Sequence, residues 1–146
     1  MADLFRARRM VEFADTDMAG IAHFSAFFRW MEAAEHELLR SLGLSVYSEI
    51  DGQTISFPRV NATCDYTAPA RCEQLLDIDV TLGRIGTRSL SYEFAFFHDG
   101  TPLATGKTTC VSCQIEHGQP PESVLLPQKI AYALRPYLQA DDSPSK

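Results

Sequence analysis

The stretch Phe24–Gly43, FSAFFRWMEAAEHELLRSLG, decides the fold. Phe24, Phe28, Met31, Leu38 and Leu42 recur at helical spacing, with Ala33 and Ala34 in support, so the segment predicts an amphipathic helix. Phe27, Trp30 and Leu39 widen its apolar stripe well beyond one narrow face, which predicts a helix mostly enclosed by other structure. Ser25 is placed to act as N-cap and Gly43 as the C-terminal stop.

Outward from that helix the chain turns to period two. Leu76, Ile78, Val80 and Leu82 alternate with Asp77, Asp79 and Thr81, and Leu90, Tyr92, Phe94 and Phe96 alternate with Ser91, Glu93 and Ala95. Both runs read as strands with one buried face, joined by a turn over 83–87. His98-Asp-Gly-Thr-Pro102 carries the Asp-Gly hairpin signature, and the strand 103–115 follows it. Two further strands are expected, one at 5–13 and one at about 56–66, while the stretch around Asp51-Gly52 reads as irregular. A short helix over about 127–138 precedes a polar tail, DDSPSK. The expected architecture is α+β: an antiparallel sheet of about five strands wrapped around one long central helix. A single domain over 1–138 with a disordered tail over 139–146 follows from length. An open sheet leaves edges, and edges predict a homodimer.

Composition narrows the function. The chain has 146 residues, 45% hydrophobic and 22% charged, enough for a core without staples. Its net charge of −6 gives no global support to nucleic-acid binding. No apolar run is long enough to span a membrane, and the start lacks a secretory h-region, so a cytoplasmic location is expected. The arginines near the N-terminus read as strand surface. Cys110 and Cys113 form C-x-x-C inside a Thr- and Val-rich strand, where they read as small apolar side chains rather than a redox or zinc pair. Glu32, Glu35 and His36 lack the second carboxylate helix that a di-iron site needs, so no metal and no cofactor are expected.

The chemistry is concentrated in Phe13-Ala-Asp-Thr-Asp-Met-Ala-Gly-Ile-Ala-His-Phe24, which leads into the N-terminus of the enclosed helix. Exposed amides at a helix start can stabilise a developing oxyanion. A carboxylate beside them can act as base toward water or as nucleophile in acyl transfer. The alternative is that Asp15 and Asp17 are only turn formers or caps.

The segment Glu12–Glu32, EFADTDMAGIAHFSAFFRWME, resembles the signature of the 4-hydroxybenzoyl-CoA thioesterase family of hotdog-fold acyl-CoA thioesterases. Pro58, the segment Cys64-Asp-Tyr-Thr-Ala-Pro-Ala-Arg71, Leu75-Leu76 and the arginine-bearing turn before Ser89 extend the match over about residues 5–116. The resemblance implies a hotdog fold and thioester hydrolysis. It implies Asp17 as the catalytic carboxylate, Asp15 as an acidic position that is not the catalyst, and the backbone N–H of Phe24 as the group that polarises the carbonyl. Gly20 would let the chain turn close to the substrate. Arg84 and Arg88 would lie near the phosphates of CoA. His23 departs from the family, which usually has Tyr or Trp there, and it either orients water or the thioester or packs its ring. Phe at position 24 is shared with members that act on aromatic acyl-CoAs, which favours an aromatic or bulky acyl group.

The expected partners are therefore an acyl-CoA substrate and further copies of the chain: a homodimer with its cleft between protomers, assembling into a tetramer. Phe57, Tyr66 and Trp30 are candidates to line an acyl pocket. The competing readings are a non-catalytic acyl-CoA-binding module and an acyl dehydratase or hydratase, in which His23 would pair with Glu32 or Glu35.

Overall fold

Leu76, Ile78, Val80 and Leu82 are all fully buried, and Leu90, Tyr92, Phe94 and Phe96 face the same way from the next strand. The computed structural model describes residues 2–140. Beyond Ala140, the tail expected at 139–146 lies outside the described residues. Five strands form one antiparallel sheet: β1 (Phe5–Met10), β4 (Arg59–Tyr66), β5 (Leu75–Ile85), β6 (Ser89–His98) and β7 (Thr101–Val111), in the order β1-β5-β6-β7-β4. The alternating apolar residues line the inner face. The polar ones point outward, where Arg6 and Arg8 of β1 pair with Asp79 and Asp77 of β5. Arg6 and Arg8 are thus strand surface, as expected, whereas Arg9 is in phase with buried Ala7 and buries its Nε without a partner among the described residues.

The helix α1 (Ala26–Ser41) lies against the inner face. It buries Phe27, Trp30, Met31, Ala34, Leu38 and Leu39. Phe24 and Phe28 are not in this buried set: Phe24 precedes the helix and is 63% exposed, and Phe28 is half-buried. The packed stripe thus keeps Met31, Ala34 and Leu38 at its centre and takes in Phe27, Trp30 and Leu39, while Phe24 and Phe28 fall outside it. Contact with the sheet is close enough that a Cβ at Gly106 of β7 would lie 2.5 Å from Met31 Cε. Gly43 ends the helix with φ +74°, and the Leu44 N–H reaches back to the Leu39 carbonyl.

Two expected strands divide. The run 56–66 breaks at Phe57-Pro58 and the run 103–115 at Ser112, and the separated ends join a second, smaller sheet. That sheet comprises β2 (Ser48–Ile50), β3 (Gln53–Ser56), β8 (Cys113–Gln114) and β9 (Glu122–Ser123). The stretch read as irregular is its hairpin turn. Asp51 and Gly52 both have positive φ, 52° and 78°, the two-residue geometry that matches strand twist. β1 is also shorter than expected: it stops at Met10, and Phe13 is 83% exposed in a 3-10 turn over Phe13–Asp15. The C-terminal helix α2 (Gln128–Leu134) gives way to a 3-10 turn at Arg135–Tyr137, where Pro136 cannot continue the α-helical bonding. Gln139 donates its N–H to the Leu82 carbonyl. No helix among the described residues is long and apolar enough to cross a membrane.

One ion pair ties the helix to the sheet. Glu35 of α1 is 1% exposed and accepts two hydrogen bonds from Arg59 Nη2, at 2.8 and 2.9 Å, where β4 begins. Burial raises the Glu35 carboxyl to about 7, against the opposing pull of Arg59. Its folded pKa lies above the reference value of 4.5, so the cost of ionising it is absent below pH 4.5 and grows as pH rises through about 7. Replacing Arg59 by Met strands the carboxylate. Urea unfolding of Arg59→Met should show a loss of about 3–5 kcal/mol at pH 8 and clearly less at pH 5, where Glu35 takes up a proton. Equal losses at both pH values would contradict this account.

Candidate active site

The loop before α1 is held by its own backbone. Glu12 donates its N–H to Asp15 Oδ2 at 2.9 Å, Arg29 of α1 reaches Asp15 Oδ1 at 3.3 Å, and the Asp15 carbonyl accepts the His23 N–H at 2.7 Å. Asp15 is thus a brace whose carboxylate is occupied. Between Asp15 and His23 the chain doubles back as a miniature hairpin, with Thr16 bridged to Ala22 and the Asp17 N–H bonded to the Ile21 carbonyl at 2.9 Å. Gly20, at φ +78°, closes that turn in a region unfavourable to side-chain-bearing residues. The hairpin is stitched to the chain leading into β5 by Ala22 N–H to the Ala70 carbonyl at 2.7 Å and by a bridge between Ile21 and Arg71.

Asp17 is exposed. Its Oδ1 accepts the Ala19 N–H at 2.8 Å, an Asx turn that fixes the rotamer, and its Oδ2 has no partner among the described residues. The carboxylate borders a groove of about 490 Å³. Ile21, Ala22 and Phe24 line it from the loop, Phe27 from α1, and residues 66–70 from the opposite side. The lining is mostly apolar, with Asp17 at its rim.

The helix start differs from expectation at one residue. Ser25 has helical dihedrals and does not cap. His23 does so instead: its Nδ1 accepts the Ser25 N–H at 3.2 Å and lies 2.8 Å from Ser25 Oγ. A ring nitrogen that accepts an N–H carries no proton, which puts the ring proton on Nε2. The Phe24 N–H donates to no acceptor among the described residues. It is a free amide at the positive end of α1, on a residue that borders the groove. The Phe24 carbonyl, in turn, accepts the Tyr66 hydroxyl at 2.8 Å.

The structure therefore sets Asp17, Phe24 and the expected pocket residue Tyr66 on one groove, with Gly20 and His23 in the loop beside it. It does not bring the remaining candidates to this groove. Phe57 and Trp30 are each 6% exposed and belong to the core. Arg88 bonds the Ser123 carbonyl at 3.1 Å beside a separate groove, and Arg84 is exposed where β5 bulges. Tyr66 is paired with Ala104, whereas Ser89, next to Arg88, is paired with Val111, seven residues further along β7. At about 3.3 Å per residue the two ends are roughly 23 Å apart. Glu35 is committed to Arg59, and His23 makes no hydrogen bond or ion pair with Glu32 or Glu35 among the described residues, so the pairing needed for a hydratase is not formed. Burial pushes the Cys110 thiol up to about 12, which leaves it a poor nucleophile. The groove residues that reading the sequence overlooked are Thr67, Ala68, Pro69 and Ala70; their signal was present in the segment Cys64–Arg71, already singled out for another reason.

Removing the His23 ring should cost about 1 kcal/mol of stability in His23→Ala, and His23→Asn should recover most of it, because an Asn side chain can accept the same amide. Urea denaturation of both variants checks this, and an equal loss in both would remove the capping role.

Comparison with known proteins identifies the family and the fold. The thioesterase-like superfamily matches residues 11–134. A 1,4-dihydroxy-2-naphthoyl-CoA hydrolase of Synechococcus elongatus is 28% identical over 82% of this chain and 90% of its own. The crystal structure of a 1,4-dihydroxy-2-naphthoyl-CoA thioesterase from Synechocystis superposes with a TM-score of 0.80 at 26% identity, covering 91% of this chain and 96% of that one. A gentisyl-coenzyme A thioesterase superposes with a TM-score of 0.76 at 28% identity, covering 90% and 99%. With its family model matched over residues 11–134 and its fold superposing on solved thioesterases, this chain belongs to the thioesterase-like superfamily and has its hotdog fold.

Proposed function

We propose that the chain is an acyl-CoA thioesterase that hydrolyses the thioester of an aromatic or bulky acyl-CoA to the free acid and CoA. The observation that carries this reading is the pairing of a carboxylate with a free oxygen, Asp17, and an unused helix-start amide, Phe24 N–H, on one apolar groove. A thioester carbonyl that accepts the Phe24 N–H gains a donor aimed at the charge that develops on its oxygen. Asp17 then acts as base, taking a proton from the attacking water, or as nucleophile, forming an anhydride that water opens. In both routes the C–S bond breaks and the CoA sulfur leaves as thiolate, to be protonated. The rings of Phe24, Phe27 and Tyr66 suit an aromatic acyl group, and the relatives are named for naphthoyl and gentisyl thioesters. The phosphates of CoA lie at the end remote from the thioester, so Arg84 and Arg88 are assigned to that end, with the catalytic cleft completed in a cytoplasmic homodimer.

Thiol release from a panel of aromatic and aliphatic acyl-CoAs tests the proposal. The wild type should turn over aromatic members fastest, and Asp17→Asn should lower kcat by about 10²–10⁴-fold, the usual contribution of a positioned base. Undiminished turnover in Asp17→Asn would remove that residue from the mechanism. Binding of acyl-CoA without any thiol release would identify the chain as a binding module.

A further inference from the structure

The Tyr66 hydroxyl occupies a place that lining the groove does not require. It lies at the end of β4, 42 residues from Phe24 in sequence, and reaches across to the Phe24 carbonyl. That carbonyl precedes the regular hydrogen bonding of α1 and has no other partner among the described residues. The same peptide unit carries the Ser25 N–H, which donates to His23 Nδ1. A continuous chain therefore runs from the Tyr66 O–H through the Phe24–Ser25 peptide to the His23 imidazole, and hydrogen bonds in series polarise one another. The Tyr66 ring is fixed as well, edge-on to Phe27 at 5.1 Å. Burial, then the Cys64 thiol, push the Tyr66 phenol up to about 12, so the hydroxyl remains a donor at any working pH.

We propose that Tyr66 is a positioning residue for the reaction: by donating to the Phe24 carbonyl it holds the first turn of α1 so that the Phe24 N–H faces the groove and the His23 ring keeps its capping orientation. The proposal rests on the thioesterase reading above. Without the hydroxyl the Phe24–Ser25 peptide is free to rock, and the adjoining Phe24 N–H loses its aim at the carbonyl oxygen. Ground-state binding to the apolar walls does not depend on that aim, so the effect falls on turnover.

Tyr66→Phe keeps the ring and removes only the donor. Measured by thiol release on the acyl-CoA that the wild type turns over fastest, it should lower kcat about tenfold with KM within about twofold. Tyr66→Ala, which also removes the wall, should raise KM as well. In 15N-labelled protein the Ser25 amide and the His23 ring nitrogens should shift in Tyr66→Phe. Wild-type kcat in Tyr66→Phe overturns the proposal, as does a change confined to KM, or Ser25 and His23 resonances that stay in place. A wild type that releases no thiol from any member of the panel overturns the thioesterase reading and this one with it, whereas an active wild type with an equally active Tyr66→Phe overturns this one alone.

Discussion

A five-stranded sheet with one apolar face and a single helix to cover it leaves almost no freedom in where that helix lies. The inner residues of β5 and β6 need α1 over them, and Phe27, Trp30, Met31, Ala34 and Leu38 meet that need from one side of the helix. Burying the larger of these side chains, such as Phe27, Met31 and Leu38, contributes about 1.5–3 kcal/mol apiece, so sliding or rotating α1 would forfeit several such contributions together. The helix start is thereby fixed at one end of the sheet, and the loop before it has to meet the chain leaving β4. The groove exists because those two segments meet there.

The chemistry of the groove follows from the same constraint. Helix-start amides are free by construction, because no preceding turn supplies acceptors. The Ser25 N–H is taken by His23 and the His23 N–H by Asp15, which leaves the Phe24 N–H unengaged beside Asp17. Asp15 and Asp17 differ only in position along the loop, yet one is consumed in bracing and the other keeps an oxygen free. Which of two nearby acids can react is decided by the hydrogen bonds each already makes.

What could be read from the sequence follows the length over which each signal repeats. The central helix and the five main strands were legible because their apolar residues recur over many positions. The second sheet was not, since its strands span two to four residues and two of them continue runs that look unbroken; the breaks at Pro58 and Ser112 leave the alternation around them intact. Asp17, Gly20 and the Phe24 amide were legible from one contiguous motif. The Tyr66 bond to the Phe24 carbonyl and the Arg59 pair with Glu35 join residues 42 and 24 positions apart, and no local pattern encodes such a meeting. At the helix start a serine and a histidine stand two residues apart, and the usual preference for serine as cap pointed to the wrong one.

The order of elements along the chain also bears on how the protein is made. The loop and α1 come early, and although β1 precedes them, much of what holds them comes later: Tyr66, Ala70 and Arg71 for the loop, β5 to β7 for the helix. At about 5–20 residues per second of synthesis, an apolar helix waits some seconds for its sheet. Until β5 to β7 have followed, the apolar face of α1 lacks the strands that cover it, and contact with other apolar surfaces competes with folding.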